Sequence, residues 1–115
     1  MALIVQTFDA NDLLRSIYVA IEKRAIETWE CDKDRDFTHS PEQWRNKAWL
    51  HPNISGGQLR FGLVGQKDVV MTKVIYAVYH GRFAEMLLTH FDDKIRSISI
   101  TANKEAPDNF QARAT

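Results

Sequence analysis

The sequence predicts an α+β fold: a two-layer sandwich in which a mostly antiparallel sheet carries two long helices on one face, with a short helix in the central connector. Three observations support this. Two long segments repeat apolar residues at three- and four-residue steps. Short β-branched or alternating runs occur at residues 2–8, 58–64 and 95–101. Turn-forming residues separate them, and no repeat or low-complexity linker divides the chain.

Ala2 to Phe8 is an apolar, β-branched run placed before a helix start, and it predicts a strand. Asp9 suits an N-cap, with Phe8 and Leu13 at the two positions of a hydrophobic staple. From there Leu14, Ile17, Ile21, Ala25 and Thr28 recur on one side, widened by Leu13, Tyr18 and Trp29. Arg15, Glu22, Lys23 and Glu27 take the other side, so the first long helix is predicted to run to the Thr28–Trp29 region.

Ser40, Pro41 and Gln43 supply the N-cap, first helical position and third position of a capping box. They predict a short helix from Pro41 to about Ala48, stopped by His51, Pro52 and Asn53, with Trp44 and Trp49 on this piece. Ser55, Gly56 and Gly57 then read as a turn, and Gln58 to Val64 as a strand with Leu59, Phe61 and Leu63 on one face. The second long helix starts at Asp68 or Thr72. Along it Val70, Val74, Ala77, Gly81, Ala84, Leu88 and Phe91 follow at steps of 4, 3, 4, 3, 4 and 3. Ile95 to Thr101 reads as a last strand with Ile98 and Ile100 on its covered side.

The 115 residues make one domain over 1–102, followed by a flexible tail over 103–115. Fifteen basic and fifteen acidic side chains give zero formal charge, which provides no long-range field to gather nucleic acid or an anionic membrane. A single cysteine cannot form an internal disulfide. With no basic leader and no apolar run of membrane-spanning length, the reading is a cytoplasmic protein without membrane association.

Residues 28–44, TWECDKDRDFTHSPEQW, hold the lone cysteine and two of the three tryptophans. Asp32, Asp34 and Asp36 match the opening acids of a calcium loop, but Phe37 stands where that loop needs glycine and Gln43 where it needs glutamate. Cys31, His39, His51, His80 and His90 show no zinc-ligand spacing. No metal and no cofactor are expected. A small enzyme would use Cys31 as nucleophile and His39 as base, oriented by Asp36; Glu30 and Asp32 beside the thiol oppose its ionisation. A nucleic-acid module would draw on Arg45, Lys47 and Arg60 with Trp44, Trp49 and Phe61 as stacking partners.

The preferred reading is a non-catalytic protein acting through protein-protein association, as a homodimer, adaptor or inhibitor. Its expected interface is Trp44, Arg45 and Trp49, residue types that dominate binding at interfaces, together with Ala77, Gly81 and Ala84. The small side chains let a second backbone approach, either the first helix through Ala25 or another copy of the chain.

Overall fold

The computed structural model describes residues 3–104 and 108–113. The chain is α+β, built of a curled, largely antiparallel sheet and two helices. Strand β1 (Leu3–Thr7) leads to helix α1 (Ala10–Glu22), then to β2 (Trp29–Cys31), β3 (Phe37–His39), β4 (Ala48–Ser55) and β5 (Gln58–Gln66). Helix α2 (Lys73–Phe91), a 3₁₀ turn at Asp92–Lys94, β6 (Ile95–Ile100) and β7 (Asn109–Arg113) complete it. The sheet order is β2-β3-β4-β5-β1-β6, and β7 joins β5 in parallel beyond the end of β1.

The period-two pattern sets the register. Leu3 and Val5 of β1 and Leu59, Phe61 and Leu63 of β5 are fully buried on one face, as the alternation in the sequence predicts. Gly56 and Gly57 both have positive φ (57° and 78°) and close β4 onto β5 as a two-residue hairpin. Pro52, read from the sequence as a helix stop, sits inside β4 opposite Phe61, past the one residue pair that joins β4 to β3. Counting from the hairpin, its nitrogen faces away from β5, so the missing N–H removes no bond to that strand.

Helix α1 begins where expected, with the Asp9 carboxylate accepting from Asp12 N–H at 3.1 Å. It ends six residues before Thr28. Ala25 N–H bonds Ala20 O at 2.9 Å and Arg24 N–H bonds Ile21 O at 3.1 Å, a Schellman closure with Arg24 at φ 60° where glycine is usual. Without that glycine the stop is invisible in the sequence, and Trp29 belongs to β2 rather than to the helix. The staple is also absent: Phe8 is 64% exposed, under the Arg96 guanidinium.

Two further expectations are corrected. No helix forms after Ser40: its hydroxyl donates to Glu27 O at 2.9 Å instead of capping, and Trp44 and Arg45 N–H both bond Pro41 O in a single turn. Asn46, at φ 60°, then reverses the chain into β4. On α2 the buried residues are Ile75, Tyr76, Tyr79, His80, Phe83, Met86, Leu87 and Phe91, so within the regular row Val74, Ala77, Gly81 and Leu88 lie outside, Ala84 is half-buried and Phe91 is buried as expected. Phe83 fixes the helix by ring contacts to Phe61 (4.7 Å), Trp29 (4.8 Å) and Phe37 (5.5 Å). Within the segment expected to be a flexible tail, β7 pairs Asn109 with Val64 and Arg113 with Gln66.

Candidate binding cleft

Residues 28–44 form a β2–β3 hairpin and a turn rather than a chemical loop. Asp32 organises the hairpin: its Oδ1 accepts from the Asp34 and Asp36 N–H groups at 2.9 and 3.1 Å, and Arg35 takes φ 66°. The remaining carboxylate oxygens turn toward the last strand, where Arg113 lies 2.7 Å from Asp32, 3.2 Å from Asp36 and 3.5 Å from Asp34. Burial alone would raise the Asp32 pKa, but the backbone donors and Arg113 outweigh it and hold the carboxyl below its ordinary value. His51 Nδ1 meets Asp36 at 2.6 Å. No group of three or more His, Cys, Asp or Glu side chains among the described residues is arranged to hold a metal ion.

Cys31 and His39 do not form a nucleophile and base. The thiol contacts Asp32 O at 3.5 Å, while His39 Nδ1 donates to Thr28 O at 2.7 Å and its ring lies 4.6 Å from Trp29. Burial pushes the Cys31 thiol up to about 11, Asp32 and Asp36 add to the rise and Arg35 opposes it, so it is protonated at neutral pH. The expected stacking surface does not assemble either. Trp49 and Phe61 are buried, Arg45 pairs with Glu30 at 2.9 Å, and the Arg60 guanidinium is held by Gln58. Lys47 is half-buried.

Of the expected interface residues, Ala77 and Gly81 are exposed on α2, whereas Ala84 is half-buried against the core. Trp44 also packs partly on the core, and Trp49 lies beneath Arg113 at 4.0 Å. A Cβ at Gly81 would meet nothing within 4 Å, and Ala25 lies past the end of α1 on the surface. The first helix therefore does not cross at Gly81.

The same part of α2 forms one wall of a cleft of about 660 Å³, closed by the end of β6, residues 101–104 and Phe110. Its chemistry begins with the four-residue step from Tyr76 to His80, which stacks the two rings 4.0 Å apart. The Tyr76 hydroxyl donates to Asn103 O at 2.9 Å and lies 2.8 Å from Thr101 Oγ1. It also lies 3.3 Å from Asp108 Oδ2, while Asp108 Oδ1 accepts the Leu63 N–H at 2.7 Å. Thr101 and Asn103 are thereby tied back onto α2, and Asp108 onto α2 and β5.

His80 is 2% exposed and its Nδ1 lies 2.6 Å from Tyr76 O. A carbonyl can only accept, so Nδ1 carries the proton and Nε2 a bare lone pair. Burial depresses the His80 pKa, with the Tyr76 carbonyl and Asp108 pulling the other way, which keeps the ring neutral. Nε2 is out of contact with water and has no hydrogen-bond partner. Such an unmet acceptor costs about 1–3 kcal/mol. In the sequence His80 stands out only as a zinc candidate without ligand spacing, and the four-residue step from Tyr76 to His80 is the signal that points to this group.

The chain matches no protein-family model, and comparisons with curated proteins and with solved structures find no match. No helix among the described residues is long and apolar enough to cross a membrane.

Proposed function

We propose that the protein is a non-catalytic binding protein acting by association, with the outer face of α2 and the end of β6 as its contact surface and a second copy of the chain as its partner. The observation supporting this is the distribution of exposed apolar side chains. Val70 (79% exposed), Val74 (60%), Leu88 (54%) and Ile100 (47%) gather on this side, and Ala77 and Gly81 lie between them. Small side chains in the middle of such a row let two helices approach closely across a twofold axis. The reading takes both helices to lie in one layer on one face of the sheet, so that α2 turns Phe83 inward and Val74 outward. It also takes the setting to be cytoplasmic, consistent with one unpaired cysteine.

Equilibrium sedimentation tests it. The wild type should dimerise and Val74→Glu should remain a folded monomer. A wild type that stays monomeric at its highest soluble concentration overturns self-association.

A further inference from the structure

We infer that the cleft between α2, residues 100–104 and Phe110 is a binding site for a small, neutral aromatic molecule carrying one hydroxyl or N–H donor, a phenol in its simplest form, whose donor is accepted by Nε2 of His80. This goes beyond association, because it assigns a ligand to a cavity whose lining shares Ala77, Gly81 and Ile100 with the contact surface.

The cleft's size suits a small organic molecule. Met71, Ala77, Gly81, Ile100 and Phe110 give it a mainly apolar lining that favours a ring or a short alkyl chain. Phe110 already stands edge-on to Tyr76 at 5.9 Å, an arrangement that a further ring can extend. The polar requirement is narrow. With Nδ1–H committed to Tyr76 O, His80 offers one lone pair and no donor, so a ligand bringing only acceptors leaves it unmet.

Charge narrows the class further. An anion would face the lone pair directly. A cation would meet Lys73 and Lys104, both on the cleft wall, the Lys104 ammonium lying over the Phe110 ring at 5.2 Å. The Asp108 carboxylate already receives Leu63 N–H on one oxygen and stands beside the Tyr76 hydroxyl on the other. A neutral donor meets the nitrogen without either penalty. Nε2 is screened from water, and His80 lines the cleft together with the coil of residues 101–104.

The test titrates the full chain with 4-propylphenol and with 4-propylanisole, which keeps the shape and removes the donor, following His80 ring ¹⁵N and amide shifts. The phenol should bind about tenfold more tightly and shift Nε2, since a hydrogen bond to an unmet buried acceptor is worth about that factor. His80→Leu should bind the two compounds equally. Gly81→Trp, at a position with open space, should keep the fold and lose both. Equal affinities in the wild type, no saturable binding of the phenol, or full binding to Gly81→Trp each overturns the site. Repeating the titration on Val74→Glu separates the outcomes: binding retained by a monomer supports the cleft whether or not the chain dimerises.

Discussion

The Arg113 guanidinium lies 4.0 Å over the Trp49 ring and 2.7 Å from the Asp32 carboxylate, joining the last strand to the turn between β2 and β3. Trp49 points away from Leu50 and the main core, and Arg113 covers it there. Arg113→Gln removes the cation–π contact and leaves Asp32, Asp34 and Asp36 close together without their shared counter-charge. The Asp36 side chain is only 8% exposed, so its repulsion is weakly screened. Urea unfolding should show a loss of about 1–3 kcal/mol, and acrylamide should quench the variant's tryptophan emission more than the wild type's.

Gly81→Ala should stabilise the protein by about 0.5–1 kcal/mol, because alanine restores helix propensity and its Cβ meets nothing within 4 Å. Thermal unfolding checks it. The sequence pattern implies the opposite, since a glycine in the centre of a buried row would be overpacked by any larger side chain; a destabilised alanine variant would return Gly81 to a packed contact.

That reversal shows where the sequence was readable and where it was not. Elements with a single apolar face were legible: Leu59, Phe61 and Leu63 of β5 alternate as read and are buried, and Asp9 and Thr72 cap their helices. Helix α2 carries apolar side chains on two rows, and spacing alone cannot rank them. The more regular Val74–Ala77–Gly81 row was preferred, but Tyr79, Phe83 and Leu87 bury far more area and therefore face the core. The cleft was illegible for a related reason. His80, Ile100 and Phe110 meet only because β7 adds to β5, and that pairing depends on Asp108 binding Leu63 N–H and on Gly65, where any Cβ would collide with the Phe110 backbone.

Arg24→Gly should raise stability by about 0.5–1 kcal/mol. Arg24 holds φ 60° to close the Schellman turn, and its side chain crowds the backbone in that region. Glycine removes the crowding while adding some freedom to the unfolded chain, which trims the gain. Chemical denaturation monitored by circular dichroism measures it, with unchanged helix content as the control.

Stability should fall as pH drops below the ordinary imidazole value of 6.5, because the pKa values of His39 and His80 are both lowered, in each case chiefly by burial. Well above 6.5 both rings are neutral, folded and unfolded, and contribute no pH dependence. Below it the unfolded chain binds protons that the folded chain takes up only at lower pH, so each ring removes at most about 1.4 kcal/mol per pH unit. Asp32 adds a second, more acidic window. Its folded pKa lies below the ordinary 3.8, so its contribution is present above 3.8 and is lost as pH falls further. Urea midpoints should therefore be flat near neutrality and fall on acidification. In Arg113→Gln the Asp32 loss should start from a smaller contribution, while the histidine window stays unchanged.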